Sequence, residues 1–113
     1  MSSHKENNVS IGTGNLAGKG LYAARDFSMG EVVVAYHLTP LREEQFDCLS
    51  ESEKMFTHVQ HGTIYLYGEP ERYMNHSDSP NTLPDHTLHA DVAIRPIKKN
   101  EMVTTDSRKD DIE

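Results

Sequence analysis

The feature that most restricts the fold is a stretch of chain that occurs twice. Ala23-Ala24-Arg25-Asp26-Phe27-Ser28-Met29-Gly30-Glu31-Val32-Val33 recurs 70 residues later as Ala93-Ile94-Arg95-Pro96-Ile97-Lys98-Lys99-Asn100-Glu101-Met102-Val103. The shared pattern is Ala-x-Arg-x-apolar-x-x-turn residue-Glu-apolar-Val. Gly30 and Asn100 fall at the same point, and both tolerate the left-handed backbone that a tight turn can require. The pair predicts two related β units facing each other across the molecule. With 113 residues in total, the chain has room for one such core and not for a second domain.

The intervening segments read as short elements. Residues 1–8 are polar and are expected to be a disordered lead-in. Gly12, Gly14, Gly18 and Gly20 punctuate a loop before a strand over Leu21–Ala24, and Val32–Tyr36 is a second strand. Thr39-Pro40 reads as an N-cap with proline at the first helical position, opening a helix over Leu41–Leu49. Ser50-Glu51-Ser52-Glu53 is a capping-box pattern starting a second short helix that ends near Phe56. Thr63–Tyr67 reads as a strand, Arg72–Pro84 as an irregular turn-rich segment, and Met102–Thr105 as a last short strand. Leu88, Ala90, Val92 and Ile94 alternate with His89, Asp91 and Ala93, the period-two mark of a half-buried strand. The sum is a mostly-β α+β domain ending in a polar tail, acidic over residues 109–113.

Charge narrows the partners. Asp plus Glu is 18 against 11 Lys plus Arg, a formal charge of -7. Neutralising phosphates requires a basic face, so neither nucleic acid nor an anionic membrane is the expected partner. A basic partner is. Cys48 is the only cysteine, which excludes an intrachain disulfide and a thiolate zinc site. Without a membrane-length apolar run, a signal-peptide core or a compact basic localisation run, the expected location is intracellular and cytoplasmic.

Several motifs fail on chemistry. A Walker loop would need glycine and a hydroxyl residue where Thr13 and Gly20 stand, and no βαβ unit has space to follow the glycine loop. His58/His61 and His86/His89 are spaced by three, which in a strand points them to opposite faces. His89-Ala90-Asp91 opens like a two-histidine, one-carboxylate iron site, but no later histidine completes it. No metal is expected. Asn75-His76-Ser77, with Pro80-Asn81 behind it, is a less common composition for an irregular segment.

Four segments in order carry a family resemblance over residues 9–108. They are Gly18-Lys19-Gly20-Leu21-Tyr22-Ala23-Ala24, Gly30–Tyr36, Arg72-Tyr73-Met74-Asn75-His76-Ser77-Asp78-Ser79-Pro80-Asn81, and Ala93–Thr104. Together they resemble the SET-domain family of protein-lysine methyltransferases. That resemblance implies a fold of small curved β-sheets with a C-terminal pseudoknot, in which residues 37–70 are a variable insert forming part of a peptide groove. It implies S-adenosylmethionine as cofactor, held by Lys19, Gly20, Leu21 and Tyr22, by Arg72, Asn75 and His76. The Asn75 side chain would meet the cofactor's amino-acid end, and the His76 backbone its adenine edge. It also implies a basic protein or peptide substrate, such as a histone-like tail, whose lysine is N-methylated. The amine must be neutral to react, and free lysine has a pKa of about 10.4, so the site must desolvate it or lead its proton away.

The last motif departs from the family's Glu-Leu-Thr-(Phe or Tyr)-Asp-Tyr. In Glu101-Met102-Val103-Thr104-Thr105-Asp106-Ser107, Ser107 stands where the family's catalytic tyrosine would be. Thr105 takes the aromatic position that sets methyl number. A serine hydroxyl keeps a donor and an acceptor but is shorter than a phenol. Three readings follow: another tyrosine (Tyr36, Tyr65, Tyr67 or Tyr73) supplies the hydroxyl, the protein binds cofactor or peptide without transferring a methyl, or the serine is a sporadic replacement. Six residues follow Ser107 and none is cysteine, so the expectation is a site that lacks the family's Cys-rich lid. Completion of the site by bound substrate or by a second subunit, hence a homodimer, is the corresponding expectation.

Overall fold

The computed structural model describes residues 8–110, so most of the expected lead-in and the end of the acidic tail lie outside the described residues. Asn8 is packed: its carbonyl accepts from Ala24 N–H at 2.9 Å, and its Nδ2 donates to Val33 O at 3.3 Å. In chain order the strands and helices are β1 (Val9–Leu16), β2 (Lys19–Ala23), β3 (Val32–Ala35), β4 (Thr39–Leu41), α1 (Glu43–Asp47), α2 (Glu51–Lys54), β5 (Thr57–Gln60), β6 (Thr63–Leu66), β7 (Asn75–His76), β8 (Thr82–Asp85), β9 (Ala90–Ala93) and β10 (Met102–Thr105). Short 3-10 turns span Glu71–Tyr73 and Ser107–Lys109. Three small sheets result, ordered β1-β2-β10-β7, β3-β9-β8 and β4-β6-β5. This is the mostly-β α+β architecture expected.

The two copies of the repeat meet as predicted and exchange bonds reciprocally. Phe27 N–H donates to Ile97 O at 2.8 Å, and Ile97 N–H to Phe27 O at 3.0 Å. Ala23 N–H donates to Glu101 O at 2.8 Å, and Ala93 N–H to Glu31 O at 2.9 Å. Gly30 N–H donates to Ala93 O at 2.8 Å, and Asn100 N–H to Ala23 O at 2.7 Å. Each turn is also closed from within. Glu31 accepts from Ser28 N–H at 2.8 Å and pairs with Arg25 at 3.0 Å; Glu101 accepts from Lys98 N–H at 3.0 Å and pairs with Arg95 at 3.0 Å. Gly30 and Asn100 hold φ of 94° and 76°, the left-handed geometry that suits these two residue types. The first copy's β2 pairs with the second's β10, and its β3 with β9, so each copy supplies one strand to each of two sheets. Phe27, Ile97, Val33 and Val103 fill the core between them.

Three expectations need correction. The segment at Thr39-Pro40 is an edge strand, pairing Thr39 with Leu66 and Pro40 with Tyr65. The residue before a proline is driven to extended backbone, and an edge strand loses little when proline brings no N–H. The helix begins later, where the Gln45 side chain accepts Arg42 N–H at 2.8 Å. The glycine loop is instead β1 hairpinned onto β2, with the Tyr22 hydroxyl donating to Thr13 O at 2.7 Å. The alternation around β9 also misplaces its ends. Leu88 and Ile94 are 57% and 40% exposed, whereas Asp91 and Ala93 are each 2% exposed. Ala90 is buried on one face of β9 and Asp91 and Ala93 on the other, so both faces are covered.

The turn geometry is testable. Gly30→Ala forces a Cβ into left-handed backbone and is expected to cost about 1–2 kcal/mol, while Asn100→Gly stays within about 0.5 kcal/mol of the native protein. Urea unfolding of both variants measures this.

Candidate functional site

A cleft opens where β1, the β5–β6 hairpin, β9 and the C-terminal 3-10 turn converge. Leu16, Phe56 and Met74 give it apolar walls. Tyr36 follows β3 and Tyr67 follows β6, and the two rings meet edge to face with centroids 5.4 Å apart. His58 on β5 stacks on Tyr67 at 4.5 Å.

Each of these tyrosines carries an acid. The Tyr36 hydroxyl donates to Asp91 Oδ1 at 2.6 Å, the length of a charge-assisted bond, and the Tyr67 hydroxyl bonds Asp110. Burial pushes the Asp91 carboxyl up to about 7; the Tyr36 bond opposes that rise, and Asp110 and Glu71 add to it. Burial also raises both phenols, followed for Tyr36 by the Asp91 charge and for Tyr67 by that of Asp110. Both hydroxyls therefore stay protonated and act as donors to carboxylates.

At the rim, Ser107 N–H donates to His76 Nδ1 at 3.1 Å, and the Ser107 hydroxyl lies 3.2 Å from the same nitrogen. A backbone donor at Nδ1 makes that nitrogen the acceptor, so Nε2 carries the proton and faces Asp78 Oδ1 at 3.0 Å. Asp106 is forked by Arg108 at 2.8 and 3.0 Å, whose hydrogen bonds hold its carboxyl down near 2. Thr105 Oγ1 is buried beside the cleft without a hydrogen-bond partner among the described residues.

Of the residues expected at the site, Tyr36, Arg72, His76, Thr105 and Ser107 line this cleft. Arg72 also braces it, donating from Nε and Nη2 to Tyr67 O at 3.2 and 2.9 Å and pairing with Glu53 at 3.2 Å. Lys19, Gly20, Leu21, Tyr22, Tyr73 and Asn75 are not among the lining residues. Leu21 is wholly buried in the core. Tyr73 packs edge-on to Phe56 beneath the Lys19 ammonium, its hydroxyl bonded to Glu69 at 3.2 Å. Tyr65 stacks on His58 outside the cleft lining.

Asn75 is a structural hub. Its Oδ1 accepts Asn15 N–H at 2.7 Å, and its Nδ2 donates to Lys19 O and Tyr73 O, both at 2.9 Å. Both amide hydrogens are thus taken by protein, leaving one oxygen lone pair for any ligand. Gly20 is small for the same reason: a Cβ there would meet Met102 Cε at 2.7 Å and Asn75 Nδ2 at 3.3 Å. β7 then runs parallel to β10, pairing Asn75 with Thr104 and His76 with Thr105.

Residues 18–106, which include the Asn-His-Ser segment and the last strand, match the family model described as the SET domain. The chain belongs to the SET-domain family. Human Histone-lysine N-methyltransferase 2D is 31% identical to it over 93 residues, covering 71% of this chain and 2% of its own length. The chain therefore spans a very small part of that curated relative. The crystal structure of a candidate histone methyltransferase of Plasmodium falciparum superposes with a TM-score of 0.71 at 16% identity, covering 90% of this chain and 94% of that one. ctPRC2 in an autoinhibited conformation, bound to S-adenosylmethionine, matches with a TM-score of 0.68 at 24% identity over 92% of this chain and 15% of its own. Those two likenesses establish the shared fold.

In this SET domain the residues missed by sequence reasoning are the acids. Asp91, Asp110 and Glu71 line the cleft, together with Tyr67, one of the four tyrosines the sequence offers for the hydroxyl. A signal for Asp91 did exist. The repeat aligns it with Leu21, and Leu21 faces inward two residues before buried Ala23, as Asp91 does before buried Ala93. The donor set fits the cationic methyl donor that the family implies: apolar walls, carboxylates and hydroxyls, with the one lining guanidinium already bound to Tyr67 O and Glu53.

Two outcomes are expected. Asn75→Ala removes the partner of Asn15 N–H and one hydrogen bond from each of two carbonyls, lowering stability by about 2–4 kcal/mol and abolishing hydrogen-exchange protection of the Asn15 amide. Asp91 is an acid whose folded value lies above its unfolded one, so its contribution to stability is present below about pH 4 and is lost as pH rises through about 7. Asp91→Asn is thus expected to gain stability relative to the native protein between pH 5 and pH 8, by more than about 1 kcal/mol in urea unfolding.

Proposed function

We propose that this SET domain is an S-adenosylmethionine-dependent protein-lysine N-methyltransferase acting on a basic protein segment. The observation that carries the reading is the pair of cleft hydroxyls, Tyr36 held by Asp91 and Tyr67 held by Asp110, beside Thr105 and Ser107 at the end of the family's last motif. Membership of the family, a histone-lysine methyltransferase relative and a structural neighbour bound to S-adenosylmethionine support it.

When bound, S-adenosylmethionine supplies a methyl group on a sulfonium. Leu16, Arg72 and His76 are the cleft residues nearest in sequence to the family's cofactor motifs, and they would hold it, with Asn75 fixing the segment that carries His76. The substrate lysine enters beside the Tyr36 and Tyr67 rings, whose faces suit an alkyl-ammonium chain. The two hydroxyls orient the amine, mainly a positioning effect. Tyrosines from elsewhere in the cleft thus replace the hydroxyl that Ser107 is too short to supply. The parallel pairing of β7 with β10 serves as the family's pseudoknot, holding the Asn-His-Ser segment against the last motif.

A second reading, a module that binds cofactor or peptide without transfer, draws on one observation: the Ser107 hydroxyl is within bonding distance of His76. Methyl-labelled cofactor incubated with a mixture of basic proteins separates the two. Label on lysine is the expected outcome, with Tyr36→Phe and Tyr67→Phe each lowering kcat about 10-fold or more while calorimetric cofactor affinity holds. Cofactor binding without label selects the second reading.

A further inference from the structure

We propose that Asp91 is the proton acceptor for the substrate amine, reached through the Tyr36 hydroxyl; the inference rests on the lysine-methylation reading above. The geometry is a two-bond chain from cleft to buried acid. Tyr36 lines the cleft, and its hydroxyl already donates to Asp91 Oδ1 at 2.6 Å, so its oxygen lone pairs are available to an ammonium. Asp91 is 2% exposed, and solvent does not compete for it.

The other acids of the cleft region are committed elsewhere or differently placed. Glu71 accepts His37 N–H and, at 3.0 Å, Gly68 N–H, with His37 Nδ1 at 3.0 Å from its second oxygen. Asp106 is held by Arg108, and Glu53 by Arg72. Asp110 serves Tyr67 from the end of the described chain and is only half-buried.

The groups that face Asp91 come from every element packed on β9. Tyr36 arrives from the end of β3, Tyr67 from the end of β6, Glu71 from the 3-10 turn and Asp110 from the C-terminal turn. On β8, Pro84 lies opposite Asp91 in register, next to Asp85. His58 and His86 stand behind Tyr67, their rings 6.3 Å apart. The charges that act on Asp91 are those of Asp110 and Glu71, both negative. A lysine ammonium brought to Tyr36 is therefore the missing countercharge, and the raised proton affinity of Asp91, about 7, roughly halves its gap to a free amine at about 10.4.

One ammonium N–H proton passes to Tyr36 Oη as the Tyr36 O–H proton passes to Asp91 Oδ1. The lysine nitrogen keeps its electron pair, and the carboxylate becomes a carboxylic acid. That pair then forms the N–C bond to the methyl carbon while the sulfonium S–C bond breaks and leaves its electrons on sulfur. Methylammonium and a thioether are the products. Asp91 returns its proton to water through the same hydroxyl once the product has left.

The test joins a direct titration to kinetics. The protein is labelled with 13C at aspartate carboxyls, and the Asp91 resonance is assigned by its loss in Asp91→Asn. It is then followed against pH with a lysine-containing basic peptide or with the same peptide carrying norleucine, each with S-adenosylhomocysteine present. The lysine peptide is expected to displace the titration midpoint of the Asp91 resonance and the norleucine peptide is not. In kinetics, Asp91→Asn keeps an acceptor for the Tyr36 hydroxyl, so a purely structural role would leave the pH profile unmoved. The expected result is a kcat at least 10-fold lower and an acidic limb of kcat/KM displaced upward by one pH unit or more. Methylation with an unchanged profile in Asp91→Asn, or an Asp91 resonance indifferent to lysine, overturns the proposal and leaves the methyltransferase reading standing. A lysine-specific response of Asp91 without any methylation supports the proton acceptor and overturns the transferase reading.

Discussion

Six backbone hydrogen bonds exchanged between the two copies of the repeated turn unit are the interaction on which the rest of the structure depends. They join β2 to β10 and β3 to β9 at once, because each copy sends one strand into each sheet. Loss of one turn therefore unsettles both sheets. The core between them is small, centred on Phe27, Ile97, Val33 and Val103, so directional bonds at the turns supply register that packing alone would specify weakly.

The site arises where the two copies stop being alike. Leu21 and Asp91 occupy equivalent places on their strands; one is the wholly buried centre of the core, the other a buried carboxylate. An acid in the position of a leucine is disfavoured by desolvation, and its retention there depends on the Tyr36 hydroxyl. The insert then brings Tyr67 edge-on to Tyr36, and Arg72 ties that insert to the 3-10 turn. Symmetry builds the frame, and its violation builds the chemistry.

Acidity gathers where a cation would bind. The net charge of -7 is by itself an argument about partners only, but Glu71, Asp91 and Asp110 line the cleft. Their fields add, since burial weakens screening by water. The same arrangement that raises Asp91 thereby favours an ammonium beside Tyr36.

Much was legible from local order. The repeat with its Gly30 and Asn100 turns, the strands over Leu21–Ala24, Val32–Tyr36 and Met102–Thr105, the Ser50 cap and the family's motif series could all be read, because backbone preference and short spacings are encoded in neighbouring residues. Proline at position 40 and the glycines before Lys19 misled for one reason: both fit an edge strand or a hairpin as well as a helix start or a loop, and only the pairing partner decides. Which tyrosine reaches the cleft, that Asn75 spends its amide on the fold, and that Asp91 meets the Tyr36 hydroxyl were decided by tertiary structure alone. Those outcomes depend on which strands flank β9 and where the insert folds back, contacts between residues tens of positions apart that no local pattern contains.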